Sequence, residues 1–147
     1  MIDGRSLETV HKAWLGVEQI HIGRIRGVQV EALLEFIEEP FKEAIGMMFE
    51  KNIPTVGSSC NIHDYSKGKA WITVDYDFMT ARNKKVADRH DPVEKFTLHN
   101  RSIDRVVTVA GLLFPIEPLE LPEEVGARAV NLAEAFHQQP DFLPRNV

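Results

Sequence analysis

The chain has 147 residues, a net charge of −5, 44% hydrophobic and 27% charged residues, and one cysteine. Such a chain can bury a self-sufficient core without staples. Its acidic balance argues against a general nucleic-acid binder, whose phosphate-tracking surface needs a basic excess, and one cysteine cannot form an internal disulfide. No apolar run is long enough to cross a bilayer, and the N-terminus, with Asp3, Arg5 and Glu8, lacks the apolar stretch of a signal peptide. A cytoplasmic protein with a single domain over residues 1–147 is the expectation.

In chain order, Ser6 is placed to cap a first helix that carries Leu7, Val10, Trp14 and Val17, after which Gly23 and Gly27 break residues 21–30 into a loop or irregular strand. Leu33, Leu34 and Ile37 suggest a short helical segment that meets a second helix at Pro40. That second helix is the best marked element. Phe41, Ile45, Met48 and Phe49 stand at i, i+4, i+7 and i+8, Pro40 suits the first turn, and Lys51, Asn52 and Pro54 are successive stop signals. The acidic run Glu31, Glu35, Glu38, Glu39 and Glu43 reads as the water-facing side of these helices.

A strand over residues 55–60 and a second over 70–78 follow, joined by a turn-rich loop from Asn61 to Gly68. In the second strand Ala70, Ile72, Val74, Tyr76 and Phe78 alternate with Trp71, Thr73, Asp75 and Asp77, the period of a half-buried strand. Thr80 to Pro92 reads as an exposed polar connection. Ser102 to Phe114 fits a helix through Ile103, Val106, Ala110 and Leu113, yet its β-branched Val106, Val107, Thr108 and Val109 suit a strand equally. A helix is expected there. A linker through Pro115, Pro118 and Pro122 leads to a last helix with Val125, Ala129, Leu132 and Phe136 on one face, ended by Pro140. The fold class is therefore α+β, with helices packed on one side of a small, mainly antiparallel sheet.

The chain carries no phosphate loop, dinucleotide fingerprint or complete zinc quartet, and the sequence leaves any cofactor unknown. Cys60 and His63 form a Cys-x-x-His pair, half of a metal site, with His90, Asp91 and His99 as the remaining candidate ligands. The same pair could act as a thiol nucleophile and its base, because an imidazolium beside a cysteine raises the thiolate fraction. The simpler reading makes Cys60 a small buried hydrophobe and His63 a loop residue. Asp75 and Asp77, two apart on one strand face, would point the same way about 7 Å apart and could hold a hard cation, although a solvated strand face is the commoner outcome. Trp71 on that face either packs under a helix or lines a ligand groove or subunit contact. Arg82, Lys84, Lys85 and Arg89 could receive an anionic ligand; such clusters are more often solvated loops.

Ile53, Pro54, Thr55, Ser59 and Cys60, followed by Trp71 to Phe78, make the chain resemble small uncharacterised bacterial α/β proteins with a helix, an Ile-x-Thr stretch, a Ser-Cys pair and a hydrophobic strand. The resemblance implies a fold neighbourhood and no activity. The functional expectation is a non-enzymatic binding or interaction protein, self-associating or with a protein partner, whose contact surface holds Trp71, Asp75, Asp77, Arg82 and Lys85. The alternative is a small metal-dependent or cysteine-dependent enzyme centred on Cys60 and His63.

Overall fold

The structure is a computed structural model that describes residues 5–20, 34–100 and 104–140. Helix α1 (Leu7–Leu15) is capped by Ser6, whose Oγ accepts the Thr9 N–H, and buries Val10 and Trp14. The Trp14 indole stacks on Tyr65 at 5.3 Å and its Nε1 donates to the Glu120 carbonyl at 2.8 Å. Of the expected segment before Pro40, the described residues form a 3-10 turn over Leu34–Phe36, and the extended backbone of Glu38 leads into helix α2 (Glu39–Glu50). Phe41, Ala44, Ile45 and Met48 form the buried face of α2, and Asn52 takes the left-handed conformation (φ 63°) that ends it. Lys51 then donates its ammonium to the carbonyls of Ala133 and Phe136, satisfying the end of the last helix.

Strand β1 (Thr55–Ser59) leads into a one-and-a-half-turn helix α3 (Ile62–Lys67), and Gly68, at φ 84°, turns the chain into β2 (Lys69–Asp75). The loop expected between these strands thus contains a helix, built on a reciprocal capping box between Asn61 and Asp64. A 3-10 turn (Tyr76–Phe78) and helix α4 (Ala81–Arg89) follow, then β3 (Val93–Asn100), β4 (Arg105–Pro115) and α5 (Pro122–Ala135).

Two expectations are corrected here. Residues 80–92 hold a helix rather than an exposed connection, because Thr80 caps the N-terminus through Asn83 N–H while Asn83 and Ala87 supply a narrow buried stripe. The stretch 102–114 is a strand rather than a helix over its described part. β4 lies between β2 and β3, where β-branched side chains suit the pleat and every residue gains a cross-strand neighbour. The expected loop or irregular strand at 21–30 lies outside the described residues, as does the end of the chain after Pro140.

The sheet is fully antiparallel in the order β1-β2-β4-β3. Ala70, Ile72 and Val74 lie opposite Phe114, Leu112 and Ala110, and this face joins the buried residues of α1, α2, α4 and α5 in one hydrophobic cluster. Phe41 of α2 meets Phe114 at 5.3 Å between ring centres. The helices crowd closely: a Cβ at Gly126 of α5 would stand 2.4 Å from the carbonyl oxygen of Pro40, so only glycine permits that crossing. Among the described residues no helix is long and apolar enough to cross a membrane.

Candidate functional site

The turn from β1 into α3 is built by two carboxylates. Asp64 accepts hydrogen bonds from the Ser59 hydroxyl at 2.6 Å and the Asn61 N–H at 2.9 Å. Glu38, expected on a water-facing helix side, is only 6% exposed: its Oε1 accepts the Cys60 N–H at 2.7 Å, and its Oε2 accepts from Asn61 Nδ2 at 2.8 Å and the Ile20 N–H at 3.1 Å. The physical reason is that three donors from distant segments need an acceptor inside, and the extended residue before α2 supplies one.

Cys60 lies between these acids with no exposed surface. Burial pushes its thiol far above the ordinary range, and the carboxylates of Asp64 and Glu38 push it further. A thiol held protonated is a poor nucleophile and a poor metal ligand. The His63 side chain faces solvent on the first turn of α3. Among the described residues no group of three or more His, Cys, Asp or Glu side chains is gathered closely enough to hold a metal ion. The His90 ring instead packs on Phe114 at 4.9 Å and bonds the Leu113 carbonyl through Nε2 at 2.6 Å, a role in packing β4.

The expected pairing of Asp75 and Asp77 on one strand face is corrected. β2 ends at Asp75 because β1 begins opposite it: the Asp75 N–H donates to the Pro54 carbonyl at 2.9 Å, and before Pro54 the chain turns back into α2. Asp75 is buried, whereas Asp77, in the 3-10 turn, accepts the Thr108 N–H at 2.8 Å. Arg82, Lys85 and Arg89 share an exposed side of α4, with Arg82 against His137 at 3.2 Å. Lys84 and Lys95 lie over the Tyr76 ring at 5.3 and 4.4 Å.

The sheet face turned away from the helix cluster is the other candidate. Cross-strand pairing puts Trp71, Leu113, Gly111, Val109, Val107, Phe96 and Leu98 on it together. A Cβ at Gly111 would meet the Phe96 ring at 3.6 Å, and one at Gly57 the Trp71 ring at 3.3 Å, so both aromatic rings reach towards glycines of the neighbouring strand. Trp71 is half-buried, but Phe96 and Leu98 are 42% and 43% exposed. They are large apolar side chains on an edge strand, and no reading of the sequence had singled them out. Val93, Phe96 and Leu98 break strict alternation, which leaves β3 without a clean period.

A groove of about 640 Å³ opens between α1, α2 and α5, floored by Ala13, Pro40 and Gly126 and rimmed by Glu39, Glu43 and Glu123. No metal-holding set of acids lies there among the described residues. The protein is thus an antiparallel four-stranded sheet with helices on one face. A comparison with protein-family models, with curated proteins and with solved structures finds no match.

Proposed function

We propose that this protein is a non-enzymatic interaction protein whose contact surface is the sheet face running from Trp71 along the β3–β4 hairpin. The observation that carries this reading is the exposure of Phe96 and Leu98 on the edge strand, next to the buried Val107 and Val109 of β4 on the same sheet face. Apolar side chains left half in water gain on the order of 1 kcal/mol each when a partner covers them, and contiguous apolar patches mark contact sites. The full burial of Cys60, which together with the Asp64 and Glu38 carboxylates raises its thiol pKa, supports this reading over thiol chemistry.

The test is a photoreactive benzophenone amino acid placed at Leu98 and, as a control, at the exposed Lys12 of α1, with illumination in the cells that make the protein. A discrete adduct at position 98, absent at position 12 and competed away by unlabelled wild-type protein but not by Phe96→Lys, is the expected result. Equal labelling at both positions, or none at 98, overturns the proposal.

A further inference from the structure

Resting on that reading of the sheet face, we infer that the partner is a second copy of this chain, joined edge to edge through β3 in a two-fold, eight-stranded sheet. Edge strands invite pairing, and folded proteins normally blunt them with bulges, prolines, short length or free charges. The two edges of this sheet differ in that respect. β1 has five residues, and its register shifts between Thr55 and Gly57, whereas β3 pairs with β4 without a shift from Val93 to Asn100. Its lysine does not guard it either, because Lys95 is drawn to Asp88 at 2.6 Å and lies over Tyr76.

Two hydrogen bonds fix which backbone groups β3 presents outward. In β4 the Leu113 N–H donates to the Pro92 carbonyl on the β3 side, and the Thr108 N–H donates to Asp77 on the β2 side. Odd residues of β4 therefore bond towards β3 and even ones towards β2. Thr97, opposite Thr108, sits in a non-hydrogen-bonded pair, so its N–H and C=O point away from β4 to the free edge, as do those of Lys95 and His99.

A two-fold axis perpendicular to the sheet can now be placed. Centred on Thr97, it makes Thr97 and its copy exchange two hydrogen bonds and brings Phe96 opposite Leu98 of the second copy, twice, in the closer non-hydrogen-bonded pairs. Moving the axis to Lys95 sets like charges face to face, and moving it to Phe96 sets Leu98 against Glu94. Only the Thr97 register gives both Phe96 and Leu98 an apolar partner on the open face. On the other face it sets Lys95 against His99, each beside an acid of its own chain, Asp88 and Asp104. The contact is isologous and closes at two copies, with the helices of both on the same side.

Sedimentation of purified full-length protein tests this. The expected result is an apparent mass rising with concentration from the 16.7 kDa chain to twice that value, half-way at or below about 100 µM. Thr97→Pro removes an outward N–H without touching the β3–β4 ladder and is expected to abolish the rise while keeping the wild-type circular dichroism spectrum. As a second measurement that needs no loss of function, Thr97→Cys is expected to form a disulfide dimer on mild oxidation, because hydrogen-bonded pairs hold their Cα atoms about 5.5 Å apart. The buried Cys60 stays silent, and Lys12→Cys serves as the control. A wild type that stays monomeric overturns the second copy as partner and leaves the photo-adduct at Leu98 to decide the contact face separately. A dimer unaffected by Thr97→Pro and not trapped by Thr97→Cys overturns the β3 register.

Discussion

The two edges of the sheet are finished by different means. At β1 the chain stops early: Pro54 precedes the strand, a bulge interrupts its register, and Glu38 and Asp64 tie its end into α3. At β3 the ladder runs on with side chains exposed, and Lys95 is drawn to Asp88 and Tyr76. The closed edge holds the buried polar groups and a single exposed apolar side chain, Val56, whereas the open edge holds Phe96 and Leu98 exposed on one face. A strand edge that a protein leaves long, regular and apolar is available for contact.

The largest effect expected from breaking this contrast is at the closed edge. Glu38→Ala leaves the Cys60 and Ile20 N–H groups without their acceptor, a loss of about 3 kcal/mol, or a fall in Tm of roughly 6–12 °C for a chain of this size. A thermal melt measures it, and thiol-reagent titration is expected to show Cys60 becoming reactive. A wild-type melt would mean the carboxylate does not hold this edge. At the open edge the reverse is expected: Leu98→Lys changes stability by less than about 0.5 kcal/mol, because the side chain is already 43% exposed, yet it removes the concentration-dependent association.

The smallest effect is a difference in sign with pH. Burial raises the Asp64 pKa above its ordinary value, outweighing the hydrogen bonds from Ser59 and Asn61 that lower it. The folded state then holds the proton more tightly than the unfolded chain, so stability falls as pH rises from the unfolded pKa through the raised one. At the other edge the hydrogen bond from Lys95, helped by Tyr76, lowers the Asp88 pKa. Its contribution is present above the unfolded pKa and is lost as pH falls through the lowered one. Melts of Asp64→Asn and Asp88→Asn between about pH 3 and 7 are therefore expected to diverge. Relative to wild type, the first variant gains with rising pH and the second loses. Parallel slopes would remove the electrostatic part of the contrast.

The parts of the fold legible in the sequence were those whose signals are local. α2 announced itself through Pro40, a 3.6-period apolar face and the Lys51, Asn52, Pro54 stop, and β2 through strict alternation as far as Asp75. The Asn61 and Asp64 capping box was also written locally, three residues apart, although a turn-rich loop masked it. α4 was harder because only a narrow stripe of it is buried.

Of the candidate site residues, Trp71 was legible as an aromatic on the second strand face, but Phe96 and Leu98 were not, since their strand has no period of its own. For β4 the sequence by itself determined an apolar, β-branched segment and nothing about its geometry, because a run covered on both sides has neither helical nor strand alternation. Tertiary structure decided that it would be a central strand. It also decided that Glu38 would be an interior acceptor for Ile20, Cys60 and Asn61, since a carboxylate among glutamates looks the same whether it meets water or three distant N–H groups. Periodicity and capping act over a few residues and can be read along the chain. Edge exposure and polar satisfaction depend on which segments meet, and that is set only when the chain closes on itself.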